Sequence, residues 1–395
     1  MSFLARWVDE AVSAWFLRAI RPVERPALHR EEVAFYVREF LAEPALLYRF
    51  PGQVPAMAWS AVETLPWAER QPFTFASPYP PLHPGYARRY AGYLEDHTAS
   101  GFLYRPAGPV RGAFLYLHGW MAASLQLEER LLFRSLLRED RLTILAPALP
   151  FHMARRPVVS SCSGEFFVSA DLSRTLEAFR QAVAEAVALL AWLRQEMAGP
   201  VGLVGVSLGA LVAALLLGGG AQPDYAILAL TPADVAGAVA QAPLLRRLRE
   251  ELGGNGLSME ERDSWARLVR PMEMPLVMPR QRLLLLHGRD DAIAPPGGVQ
   301  ALWEAWGRPE MAWYNGGHFS ILLRMGWVLS QCRGFLRRAM ERRVSSPAPS
   351  PLPAERTLLP LEGESSREPP QQAQNRPAGD QDERGVADPP SQVPE

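Results

Sequence analysis

The pentapeptide Gly205-Val206-Ser207-Leu208-Gly209 constrains this chain more than any other feature. It joins an apolar strand-like run, Val201 to Val204, to an apolar helix-like run, Ala210 to Leu217. A serine at so abrupt a strand-to-helix junction sits on a strained backbone that lifts its hydroxyl clear of the sheet edge. Glycines at 205 and 209 let strand and helix approach closely on either side. The segment from Gly199 to Pro223 carries no charge and is long enough to span a bilayer. Gly202, Gly205, Gly209 and the triplet Gly218 to Gly220 break it instead into strand, turn, helix and loop. A buried central strand and the helix that follows it are apolar on all sides for the same reason.

With 395 residues the chain can bury a large core and hold one big α/β domain with additions. A formal net charge of −1 offers no global field for nucleic acid or an anionic membrane. All 41 Lys-or-Arg positions are arginine, which beside abundant Ala, Leu and Pro reads as GC-rich codon usage. Two cysteines, Cys162 and Cys332, build no disulfide framework and fit a reducing compartment, so a cytoplasmic location is expected. The seven histidines show no zinc-like spacing, and neither a metal nor a cofactor is expected. Asp9 and Glu10 interrupt the first apolar stretch, so the N-terminus does not read as a signal peptide.

Residues 1–100 read as a helical N-terminal extension. Phe3, Leu4, Trp7, Val8, Trp15, Phe16 and Ile20 recur at roughly helical spacing, with Arg6, Asp9, Glu10 and Arg18 between them. Such a stripe packs on its parent domain; peripheral contact of residues 1–22 with a membrane surface is the alternative. A second helix is expected over Arg30 to Leu41. From Gly101 the pattern changes to short strands alternating with helices. The strand-like runs are Phe102 to Tyr104, Ala113 to Leu117, Leu142 to Ala146, Val201 to Val204, Ala226 to Leu230, Leu283 to Leu286 and Met311 to Tyr314. A long helix is expected over Leu176 to Met197. This alternation implies a parallel sheet covered by helices on both faces over 101–343. Residues 232–279 exceed an ordinary crossover and read as a small helical cap. Residues 344–395, rich in Pro, Ser, Gln, Glu and Asp without periodicity, read as a disordered tail.

Three further motifs follow in an informative order. Leu115 to Leu117 runs into His118-Gly119-Trp120, a loop that can offer a backbone N–H from Trp120, or alternatively Met121, to a developing oxyanion. Leu208, next to the serine, would supply the second N–H. His118 itself reads as a brace for this loop. Leu283 to Leu286 leads into His287-Gly288-Arg289-Asp290-Asp291, where Asp291 is the first choice for an acid that orients an imidazole, with Asp290 as the alternative and Asp234 weaker. His318, in Asn315-Gly316-Gly317-His318, is the expected base, carried on a loop that its two glycines make flexible.

This succession, more than any single motif, resembles the α/β-hydrolase superfamily over about Gly101 to Arg343. Asp291-Ala292-Ile293-Ala294-Pro295 with Gly298-Val299 and Gly316-Gly317-His318, and Pro150 to Pro157 with Asp171-Leu172, are similar to the branch of α/β-hydrolase domain-containing protein eighteen, whose known member is a mitochondrial protein associated with acyl-lipid hydrolysis. The resemblance implies an α/β-hydrolase fold with a mostly parallel eight-stranded sheet and a Ser207-Asp291-His318 triad. The expected activity is that of a serine hydrolase cleaving carboxylic esters, with a small-molecule or lipid acyl ester as its substrate. Alternatives are a thioesterase or peptidase on the same triad, or a non-catalytic binding protein on the same fold. Trp120, Met121, Phe151, Phe166 and Phe167 are the aromatic and apolar residues expected either to line an acyl pocket or to fill the core.

Overall fold

The computed structural model describes residues 2–19, 29–254 and 256–344. Ile20 of the first apolar stripe and the expected tail beyond 344 lie outside the described residues.

Among the described residues ten strands form one sheet. They are β1 (Ala58–Trp59), β2 (Glu63–Leu65), β3 (Ala68–Ala76), β4 (Thr98–Arg105), β5 (Gly112–Leu117), β6 (Leu142–Pro147), β7 (Val201–Val206), β8 (Tyr225–Ala229), β9 (Leu283–Gly288) and β10 (Glu310–Tyr314). Their order is β1-β3-β4-β6-β5-β7-β8-β9-β10, with β2 also paired to β3. From β6 to β10 every pairing is parallel, while β3, β4 and β6 pair antiparallel. The expected α/β-hydrolase sheet is therefore present as β3 to β10. The count of eight is corrected to ten by β1 and β2, two short strands that fold back on β3 at its outer edge.

The parallel strands are mostly apolar because helices cover both of their faces. Successive residues of β5 alternate between two cores: Leu115 and Leu117 point to the side holding Phe179, Val183 and Leu211, whereas Phe114 and Tyr116 meet Phe133, Leu137 and Leu336. The helices Leu172–Glu196 and Leu208–Gly218 lie on the first side, and Arg134–Asp140 and Met325–Val344 on the second. The uncharged segment 199–223 becomes β7, a tight turn and the 11-residue helix Leu208–Gly218. No described helix is long and apolar enough to cross a membrane.

The stretch 1–100, expected as a helical N-terminal extension, also contains strands. β1, β2, β3 and the start of β4 lie within it, beside the helices Ser2–Ala19 (α1), Arg30–Phe40 and Pro84–Tyr90. Pro72 in the middle of β3 hid that strand, since proline cannot donate to a ladder and is tolerated near sheet edges. Between β8 and β9 lie three helices, Val235–Gln241, Arg246–Gly254 and Met259–Leu268. Met259–Leu268 begins with a capping box in which Ser258 and Glu261 satisfy each other's backbone amides.

A buried ion cluster anchors the segment after β6. Arg155 is 1% exposed, hydrogen-bonds Glu185 through two nitrogens, at 2.6 and 2.7 Å, and pairs by charge with Asp96 at 3.0 Å. Its guanidinium also donates to the carbonyls of Ala148 and Asp96. Asp96 in turn accepts from the Phe151 amide at 3.0 Å. Removing the cation leaves two carboxylates buried without a counter-charge, so Arg155→Leu is expected to cost about 3–5 kcal/mol of stability. Urea unfolding of the variant checks this; a loss under about 1 kcal/mol, the scale of one ordinary hydrogen bond, would contradict it.

Candidate active site

The turn between β7 and the following helix places Ser207 at φ 54°, ψ −116°. A non-glycine residue rarely adopts this conformation, and here it turns the hydroxyl away from the helix it precedes. The approach that sequence assigns to the flanking glycines is real and tight. A methyl group at Gly209 would lie 2.1 Å from the carbonyl oxygen of Leu117, at the end of β5. That contact draws the loop after β5 beside the serine: a methyl on Gly119 would lie 3.6 Å from Ser207 Cβ.

His318 stands opposite. Its Nε2 is 2.9 Å from Ser207 Oγ, and its Nδ1 is 2.8 Å from Asp291 Oδ2. The other carboxylate oxygen of Asp291 accepts the backbone amides of Ile293 and Ala294, at 2.9 and 2.8 Å, in a tight turn just past β9. With Asp291 ionised, Nδ1 is the donor and Nε2 faces the serine as an acceptor. Burial alone would push the Asp291 carboxyl up, but the charge and hydrogen bond of His318 outweigh it and hold the group below the usual carboxylate range. Burial pulls His318 down, yet the charge and hydrogen bond of Asp291 and the charge of Asp9 bring it above the usual histidine value. Ser207, Asp291 and His318 are thus brought together from three strand ends.

Other sequence candidates fall elsewhere. Asp290 meets the neighbouring loop through its backbone, its N–H donating to Gly316 O at 3.0 Å. Asp234 pairs with Arg270 in the helical segment after β8. His118 is fully buried, with Nδ1 donating to Gly119 O at 2.8 Å and Nε2 accepting from Leu149 N at 3.0 Å. Burial lowers it to about 4, so it is a neutral strut tying the Trp120 loop to the segment that Arg155 anchors. Leu208 opens its helix, so its N–H has no intrahelical acceptor. Met121 has φ 63°, a kink that bends the Gly119-Trp120-Met121 loop around the serine. The Trp120 indole is pinned to Gly164 O at 2.8 Å.

A cavity of about 400 Å³ opens at Ser207 and His318 and is overwhelmingly apolar, with Phe16, Trp120, Met121, Val239, Leu244 and Leu248 among its walls. The segment after β8 thus walls the space in front of the serine. Of the five residues offered for an acyl pocket, Trp120 and Met121 line this cavity. Phe151, Phe166 and Phe167 do not: the first and last are fully buried, and Phe166 lies under the Arg174 guanidinium, 4.2 Å from its ring centre. Among the described residues no cluster of His, Cys, Asp and Glu is arranged to hold a metal ion.

Sequence reading gave no role to two groups that touch this machinery. His287, fully buried, donates from Nε2 to Ala294 O at 2.8 Å and lies 3.8 Å behind Asp291. Asp9 reaches the same loops from α1.

Residues 116–241, from β5 to the first helix after β8, match the family model described as alpha/beta hydrolase domain containing 18. The match includes Ser207 and the Trp120 loop and ends before Asp291 and His318. The uncharacterized protein Rv2627c of Mycobacterium tuberculosis is 29% identical over 350 residues, covering 84% of this chain and 80% of that one. Among solved structures, the acetyl xylan esterase from Paenibacillus sp. R4 aligns with 78% of this chain and 96% of its own, at 13% identity and a TM-score of 0.48. TT1662 from Thermus thermophilus aligns with 61% of this chain and 94% of its own, at 22% identity and a TM-score of 0.43.

Proposed function

We propose, from the premise that the chain is an α/β hydrolase similar to the branch just described, that it is a serine hydrolase cleaving carboxylic esters. One observation carries the reading: a strained serine, an imidazole and a buried carboxylate joined at 2.9 and 2.8 Å, opening on an apolar cavity. Ser207 Oγ attacks the ester carbonyl carbon while its proton passes to His318 Nε2. Asp291 holds the imidazole in the right tautomer and stabilises the imidazolium. The carbonyl oxygen becomes an oxyanion, for which the N–H groups of Leu208 and Trp120, with Met121 as the alternative to Trp120, are the donors. His318 then protonates the departing alkoxide, and water, deprotonated by the same ring, releases the acid and restores Ser207.

The apolar walls fit an acyl chain, which ranks esters above amides; thioesters present the same acyl group. Treatment with a fluorophosphonate followed by intact-mass measurement tests the reading. One adduct on the wild type, absent from Ser207→Ala, supports it. No adduct on folded protein would favour a binding protein on this fold. A panel of activated esters of increasing chain length then reports the depth of the cavity.

A membrane surface is the second element of the proposal. α1 turns Trp7 and Trp15 outward, 57% and 65% exposed, and indole rings are favoured at lipid–water interfaces. Trp7→Ser/Trp15→Ser is expected to reduce co-sedimentation with phospholipid vesicles while leaving hydrolysis of a soluble ester intact. Unchanged sedimentation would remove the membrane from the reading.

A further inference from the structure

α1 carries an acid in between the two candidate catalytic loops. Asp9 is fully buried, on the inward stripe of the helix with Ala5 and Ser13. Its Oδ2 accepts the backbone amide of His318 at 2.9 Å and that of Ala292 at 3.1 Å. Its Oδ1 accepts the amide of Phe319 at 3.0 Å. One carboxylate thus closes three donors from two loops, the one bearing Asp291 and the one bearing His318. The glycine pair before His318 fits this approach rather than flexibility, because a methyl at Gly317 would lie 2.4 Å from Asp9 Oδ2. Two turns further along α1 the ring of Phe16 stacks on Phe319, with ring centres 6.0 Å apart.

We propose that Asp9 is a positioning residue: it clamps the His318 loop to the Asp291 loop and so keeps the imidazole aligned between Asp291 and Ser207. This rests on the hydrolase reading above for its effect on turnover, though not for its effect on the ring itself. The clamp is chemical as well as steric. A carboxylate presents acceptors in every direction the three amides need. An asparagine would offer one acceptor oxygen and turn an NH2 group against at least one backbone N–H, leaving a buried donor unsatisfied.

The groups facing His318 are Asp291 beyond β9, Asp9 on α1, Ser207 at the elbow and His287 behind Asp291, which burial holds down as a neutral ring. Tyr314 of β10 reaches the same loop through its hydroxyl, which donates to Gly317 O. Of these, Asp291 and Asp9 are the anions that favour the imidazolium. Loss of the Asp9 charge therefore lowers the value at which His318 titrates. Since the neutral ring is the base, the acid limb of kcat/KM moves to lower pH.

The test uses the full chain as wild type, Asp9→Asn and Asp9→Ala, each checked for fold by circular dichroism and melting. Hydrolysis of a short activated ester and fluorophosphonate labelling are measured against pH, and the His318 ring is titrated by NMR. The expected result for Asp9→Asn is a kcat lower by about 10- to 100-fold, the usual consequence of misplacing a reacting group by an ångström, with KM nearly unchanged. Labelling slows in parallel, and the acid limb and the ring titration both shift down. Wild-type turnover together with wild-type ring titration in both variants would overturn the proposal and leave Asp9 as packing. If the wild type neither hydrolyses nor labels, the hydrolase reading fails on its own. The ring titration still decides: a downward shift in Asp9→Asn supports the clamp, and an unmoved ring overturns it.

Discussion

Ser207→Ala is expected to lose on the order of 10⁴-fold or more in kcat on any ester the wild type cleaves, with KM little changed. In the proposed mechanism the serine oxygen forms the acyl bond, and it is the hydroxyl that meets the His318 ring, whose Nε2 is 2.9 Å from Ser207 Oγ. Whatever rate remains is that of water attack assisted by the oxyanion donors and by substrate binding. The fold should survive. The side chain makes one hydrogen bond, worth about 1 kcal/mol, and alanine meets the same backbone strain that serine already bears. A melting temperature near that of the wild type is therefore part of the prediction, and it separates lost chemistry from lost structure. An alanine variant that still turns over at the wild-type rate would transfer the nucleophile elsewhere.

What could be read from the sequence follows from how local each signal is. The buried parallel strands are continuous apolar runs, so β5 to β10 stand out with nearly their observed limits. The Ser207 turn announces itself because Gly209 must touch the chain at Leu117 for strand and helix to pack. β3 was hidden by Pro72 and by its alternation of polar and apolar residues at the sheet's outer edge. Phe151 and Phe167 were indistinguishable from pocket aromatics, because a core ring and a cavity ring obey the same hydrophobic pattern. Gly316-Gly317 suggested freedom of motion, whereas the pair makes room for close neighbours, among them a carboxylate from α1, 309 residues away along the chain from His318. Asp9 did carry a local signal: it is an acid four residues from Ala5 and four from Ser13, small residues that form the buried face of α1. A charge on the buried face of a helix needs a buried partner. Here three amides are that partner, and only the tertiary fold brings them within reach.

The second large effect belongs to Asp291. Asp291→Asn should lower kcat by about 10³- to 10⁴-fold, as the wrong tautomer does in a serine–histidine–acid arrangement. The reason lies in the turn. One oxygen of residue 291 is committed to the amides of Ile293 and Ala294, and only an acceptor can stand there. An asparagine must give its oxygen to that turn and point its NH2 at His318 Nδ1. The ring then accepts at Nδ1 and carries its proton on Nε2, aimed at Ser207, where it can no longer take one. Losing the carboxylate also removes the strongest influence raising His318, while the burial that pulls the ring down remains. The residual activity should accordingly persist to lower pH than that of the wild type, in which Asp291 holds the ring above the usual histidine value. Asp290→Asn, one residue away, should leave turnover near wild type, because Asp290 holds the loop through its backbone amide, which the substitution preserves. Kinetics of the two asparagine variants side by side, each with a full pH profile, check the assignment. Equal losses would mean that the loop rather than the acid was damaged, and a larger loss at Asp290 would move the acid there.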